Sequence, residues 1–126
     1  MEISLIKPYE KNAKKHTQKQ IEQIARSIKE FGFNQPLVVD KNNEIIVGHG
    51  RYYAAQQLGL NDVPVIKLEN LTDEQVDGYR LADNKLNESE WDMSLVIEQL
   101  KHLDTTGFDI TLTGFDRDLI IENDEK

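Results

Sequence analysis

Between Thr17 and Gly32 the apolar residues Ile21, Ile24, Ala25, Ile28 and Phe31 recur at intervals of three and four. That period predicts one amphipathic helix. Thr17 and Gln20 supply a capping box at its start, and Gly32 a stop at its end. The pattern then changes. Leu37-Val38-Val39 and Ile45-Ile46-Val47 are β-rich runs flanking Asp40 to Glu44, a polar loop of hairpin length. A helix follows from about Arg51 to Leu58, with Tyr52, Ala55 and Leu58 on one face. Val63 to Leu68 reads as a third core strand. Thr72 with Gln75 opens a longer helix, again with a capping box, that runs to about Leu86. Trp91 and Asp92 start another, with Leu95, Val96, Ile97, Leu100 and Leu103 on its apolar side and an end near Gly107. At the front, Ile3 to Ile6 reads as a short strand closed by Pro8, followed by a polar turn over Lys11 to His16. In the tail, Ile110, Leu112 and Phe115 predict an extended piece, Asp116 to Ile121 a helical turn, and Asn123 to Lys126 a frayed end. Strands interspersed with helices, plus a hairpin, predict an α/β (α+β) fold: a small mixed sheet with flanking helices.

A chain of 126 residues is long enough for one domain with a real core. No apolar run reaches the ~18 residues of a membrane span, and the N-terminus lacks an apolar signal core, so a cytoplasmic protein with no membrane partner is expected. The absence of cysteine excludes disulfides, thiolate metal sites and thiol nucleophiles. His16, His49 and His102 are scattered and have no zinc-ligand spacing. Charge changes the picture more. The net charge is −8, but residues 1–29 carry seven Lys/Arg against three Glu, while residues 61–126 carry six basic against seventeen acidic side chains. The split is either charge decoration for solubility or a basic head that faces a polyanion or partner while the acidic remainder repels one. In the second case it suits weak, salt-sensitive contact with DNA, or contact through a partner protein, rather than tight duplex binding by this chain alone.

The candidate chemistry lies at Gly48-His49-Gly50-Arg51, between the Ile45 run and the helix after it. Glycines at a strand-to-helix junction let the backbone approach a ligand. The helix start directs its unpaired N–H groups and the positive end of its dipole there, and Arg51 adds a planar fork of donors. Together they describe an anion cradle. A structural turn with a surface arginine is the simpler alternative. His49 is a candidate phosphate donor, general acid or base, or turn cap. Tyr52, next along, is grouped with the cradle.

Gly48, Arg51 and Ala54 match in register the G-x-x-R-x-x-A phosphate motif of the ParB/sulfiredoxin-like domain, the N-terminal module of the ParB partition proteins. Gly32-Phe33-Asn34-Gln35-Pro36-Leu37-Val38-Val39 resembles that family's helix end and "Q-P-L-V-V" strand, and Pro64-Val65-Ile66 its next strand. The resemblance runs from Ile3 to about Glu90. It implies a ParB/sulfiredoxin-like domain over residues 1–90, with 91–126 a helical extension of it. It also implies that Gln35 and Pro36 line a base or ribose pocket. The family's E-N-x-x-R motif, which contacts phosphates and magnesium, corresponds to Asp83-Asn84-Lys85-Leu86-Asn87. Asp83 and Asn84 are thus implied metal and phosphate ligands, and Asp83 joins His49 as a catalytic candidate. Asn87 stands where arginine is expected. A charge-assisted hydrogen bond is worth ~1.5–3 kcal/mol, so the change weakens triphosphate binding by ten- to a hundredfold unless Lys85 or Arg80 substitutes. Sulfiredoxins carry their reactive cysteine in the His49 loop, so their thiol chemistry is not available here.

The resemblance implies a nucleoside triphosphate with Mg²⁺ as cofactor. It also implies a role in a DNA-linked phage, plasmid or chromosomal system, as accessory to a DNA methyltransferase or partition complex. Two alternatives stay open. One is an enzyme, since such domains include ParB-like nucleases and kinases for free serine, with Glu44 or Asp83 as base. The other is a ligand-free protein-interaction module. No helix-turn-helix follows residue 90.

Overall fold

The computed structural model describes residues 1–12, 14–88 and 90–124. The expected fraying falls partly on Glu125 and Lys126, outside these residues, as does Ala13 of the polar turn. The chain forms two compact units, Met1–Glu88 and Ser89–Lys126.

The first unit is built on a three-stranded mixed sheet with the Leu37–Asp40 strand in the centre. Strand β1 (Leu37–Asp40) pairs antiparallel with β2 (Ile45–Val47) and parallel with β3 (Val65–Leu68). The hairpin reverses at Asn43, whose φ of 63° lies in the left-handed region that Asn tolerates better than most residues other than Gly. Asp40 Oδ1 holds the turn by accepting from the N–H groups of Asn42 and Glu44. The parallel β1–β3 pair requires a crossover, and helix α2 (His49–Gln57) lies within it. The core closes over Leu37, Val39 and Ile45, all fully buried, with Ile6, Tyr52, Ala55 and Val63.

Helices α1 (Gln18–Phe31) and α3 (Asp73–Leu86) each begin with the capping box read from the sequence. Thr17 Oγ1 accepts from Gln20 N at 3.1 Å and Gln20 Oε1 accepts from Thr17 N at 3.0 Å; Thr72 and Gln75 repeat the exchange. The expected strand at the N-terminus is instead a 3₁₀ turn over Ile3–Leu5. Its alternation is too short to be decisive. Ile6 is buried while Leu5 is half exposed, and Glu2 and Lys7 make only isolated bridges to Asp62 and Glu44.

In the second unit, α4 (Met93–Thr105) is capped by Asp92, and α5 spans Asp118–Asp124. Leu100, Ile110 and Ile120 form its core, with Val96, Leu103 and Phe115 packed against them. Residues Ile110–Thr113 form a 3₁₀ turn, not the extended piece expected. Asp109 caps it and Gly114, at φ 91°, ends it. Trp91 is largely exposed, its ring edge-on to Phe115 at 5.1 Å. Among the described residues no helix is long and apolar enough to cross a membrane.

Candidate functional site

Val47 ends β2, and Gly48 turns the chain with φ 107° and ψ 26°, a conformation that L side chains rarely adopt. Helix α2 therefore begins at His49, two residues before the sequence suggests. Its first internal bond runs from Tyr52 N to Gly48 O at 2.9 Å. The amides of His49, Gly50 and Arg51 belong to the first turn and have no acceptor within the helix. All three residues line a cleft of about 550 Å³.

Arg51 is half buried in this wall. Its Nε donates to Gln35 O and its Nη2 to Pro36 O, both at 3.1 Å. Two donors thus brace the lead-in to β1, and three of the five guanidinium N–H groups are left for a ligand. Burial lowers the Arg51 pKa from its ordinary value, and the Asp83 carboxylate opposes that shift. Asp83 and Asn84, from α3, line the same cleft. Asn87 does too: its amide donates to the Asp83 carbonyl and, at 3.2 Å, to Asp83 Oδ1. The residue that replaces the expected arginine therefore orients the acid.

Gln35, Gly48, His49, Gly50, Arg51, Asp83 and Asn84 are brought together as the sequence suggests. Pro36, Tyr52 and Lys85 do not line this cleft. Pro36 offers only its carbonyl, to Arg51. Tyr52 belongs to the core, because the fourth residue of α2 points at the sheet; its hydroxyl accepts from Gln56. Lys85 is exposed and pairs with Glu88 at 2.9 Å. Arg80 is not a spare ligand cation either. It is buried, donates to Ile45 O, Glu44 and Asp77, and lies 3.7 Å from the centre of the Tyr9 ring. That interaction also engages Glu44, one of the possible bases.

His49 is buried, and its Nε2 accepts from Tyr9 N at 3.0 Å. Burial, then the charges of Arg80, His16 and Lys15, push its pKa down to about 4. The ring is therefore neutral at pH 7. Because the folded pKa lies below the unfolded value, the unfolded chain binds the extra proton between about pH 6.5 and 4. Folding stability gained from the neutral ring is complete above that window and is lost as pH falls through it. A His49→Gln variant, which keeps an acceptor for Tyr9, should lose less stability between pH 6.5 and 4.5 than the natural protein. The difference expected in parallel urea melts is on the order of 2 kcal/mol. Equal losses would show that His49 does not titrate in this range.

The opposite wall is not legible in the residue pattern. It comprises Ile24, Ser27, Ile28 and Phe31 of α1, Asn34 after it, and Asn12, Lys14 and His16 before it. The α1 apolar face was legible, but not that its Ile24–Phe31 edge borders α2. Among the described residues no group of three or more potential ligands could hold a metal ion.

The domain model for the ParB N-terminal domain matches residues 1–85. The chain belongs to the ParB N-terminal domain family. The ParB-like nuclease domain-containing protein YnaK of Escherichia coli (strain K12) is 49% identical over 70 residues, 56% of this chain and 80% of YnaK. The ParB fold extends to solved structures. The C-terminally truncated chromosome-partitioning protein ParB from Caulobacter crescentus, complexed with CTP-γ-S, aligns with a TM-score of 0.70 at 24% identity, over 81% of this chain. This chain spans only 59% of that ParB. Sulfiredoxin from Arabidopsis thaliana aligns with a TM-score of 0.52 at 21% identity, over 63% of this chain and 91% of its own. The ParB/sulfiredoxin-like α+β fold expected from the sequence is thereby established.

Proposed function

We propose that this ParB-family chain is a nucleotide-binding module of a DNA-linked phage, plasmid or chromosomal system, and that it receives a nucleoside triphosphate in the cleft. One observation carries the reading: the same cleft is lined by Gly48–Arg51 and by Asp83–Asn84. The phosphates would meet the three free amides of the α2 turn and the remaining Arg51 donors. Asp83 and Asn84 offer hard oxygen donors. That set suits Mg²⁺ held jointly by one carboxylate, the phosphates and water, not by a protein cage. When bound, the metal would neutralise phosphate charge. Asp83 is the only acid among the described residues of the cleft, so any carboxylate-assisted turnover would rely on it. The amides of Asn12, Asn34, Gln35 and Asn84 offer both donors and acceptors to a base or ribose. The ParB neighbour in complex with CTP-γ-S makes cytidine triphosphate the first nucleotide to test.

Calorimetric titration with each of the four ribonucleoside triphosphates, with and without Mg²⁺, tests the reading. One of them should bind, and Arg51→Ala should weaken it by roughly a hundredfold, the loss of one or two charge-assisted bonds. Because Arg51 also braces Gln35 and Pro36, the variant's thermal unfolding is measured alongside. Undiminished affinity would remove Arg51 from the site. No binding by any of the four would leave the interaction-module alternative.

A further inference from the structure

His16 takes no part in the sequence-derived site, yet it sits over the phosphate-binding turn. It immediately precedes Thr17, the N-cap of α1, so the capping box fixes where it enters the cleft. A Cβ built on Gly50 would lie 3.1 Å from His16 Cε1 and 3.3 Å from Nδ1, and 2.8 Å from Ile24 Cδ1. The imidazole therefore occupies the space that any larger residue at position 50 would fill. This corrects the sequence-based view of that glycine. Gly50 has an ordinary backbone conformation, and it makes room for a side chain from another element rather than for the ligand itself. His16 makes no hydrogen bond to a described residue, and it lines the cleft beside Lys14.

We infer that His16 is a further ligand-binding residue of this cleft, donating from its imidazole to the phosphates received by the first turn of α2, with Lys14 as a second cation on that wall. The inference rests on the nucleotide reading and names a contact within the same site. It also answers the missing arginine. Positive charge absent at Asn87 on α3 is supplied from the segment before α1 instead.

The groups facing His16 set its protonation. Lys14 and Lys15 flank it, His49 and Arg51 belong to the adjoining turn of α2, Asp83 stands across the cleft on α3, and the α1 neighbour Ile24 is apolar. Burial, then Lys14, lower the His16 pKa below its ordinary 6.5, so the free protein holds it neutral at pH 7. A polyphosphate favours the protonated ring. Binding then takes up a proton, and affinity rises as pH falls towards 6. His49, with a pKa near 4, stays neutral throughout.

The test uses the full chain. Imidazole resonances are titrated against pH by NMR, alone and with saturating inorganic tripolyphosphate, with His16→Gln identifying the His16 signal. Tripolyphosphate should raise the His16 pKa by about one unit or more. His16→Gln should weaken Mg-nucleotide binding roughly tenfold at pH 6.5 and flatten its pH dependence, whereas a purely structural His16 would leave that dependence unchanged. A His16 resonance that neither tripolyphosphate nor nucleotide moves overturns the inference, even if Arg51→Ala abolishes nucleotide binding. A His16 that responds to tripolyphosphate in a protein that binds no nucleotide overturns the nucleotide reading and leaves His16 a polyphosphate contact.

Discussion

Gly48→Ala should destabilise the first unit by about 3 kcal/mol and lower its melting temperature by roughly 15 °C. Two costs combine. Gly48 holds φ at 107°, so an added side chain brings backbone strain. The new Cβ would also lie 2.5 Å from Leu37 Cδ2 and 3.0 Å from Arg51 Nη2. Leu37 is fully buried in β1 and has no room to retreat, so the overlap must be relieved by moving β1 or the α2 start. The comparison is Gly78→Ala. Gly78 lies inside α3, and no atom comes within 4 Å of its added Cβ. That substitution should stabilise by roughly 0.5–1 kcal/mol. Thermal melts of the two variants should therefore shift in opposite directions. A Gly48→Ala protein that melts within a degree or two of the natural one would show that the turn is not held as described.

Arg80→Met should cost about 2–3 kcal/mol while preserving most of the apolar stem. The guanidinium is buried and satisfies three groups: Ile45 O on β2, Glu44 in the hairpin loop and Asp77 one turn back on α3. Its face covers the Tyr9 ring, and the Tyr9 amide in turn donates to His49 at the head of α2. Removing the cation leaves the Ile45 carbonyl without its side-chain donor and frees the Tyr9 segment. The exposed partner Asp77 contributes little by itself, so Asp77→Asn should cost under about 1 kcal/mol. Urea denaturation of both variants checks the ranking. An Arg80→Met protein no less stable than Asp77→Asn would mean that the buried fork does not anchor α3 to β2.

These two residues also show what the sequence carried and what it did not. Signals confined to a few neighbouring positions were legible: both capping boxes, the α1 apolar stripe, the hairpin and the glycine turn before α2. Each is dictated by local geometry, so no distant contact was needed to read it. The cleft was half legible. Its Gly48–Arg51 wall and Asp83-Asn84 follow a spaced motif, whereas His16 and Lys14 reach it only because α1 packs against α2 at Gly50. Tyr52 and Arg80 were misplaced for a related reason. Tyrosine and arginine suit ligand contact and interior anchoring equally well, and only the direction of the helix face decides between them. The strand expected at Ile3–Ile6 failed because four residues with one weak alternation fit a 3₁₀ turn as readily as a strand.

The order of elements sets when this cleft can exist during synthesis. The chain through Leu68 contains all three strands and α2, so the emerging polypeptide can close its sheet beside the Gly48 turn. Asp83 and Asn84 come fifteen and sixteen residues later, on the helix that Arg80 fastens to β2. A nascent chain at that stage has the Gly48–Arg51 turn but neither the acid opposite it nor the buried fork. Completion of the cleft therefore waits on the helix that Arg80 fastens, and a bound ligand would hold that helix in place.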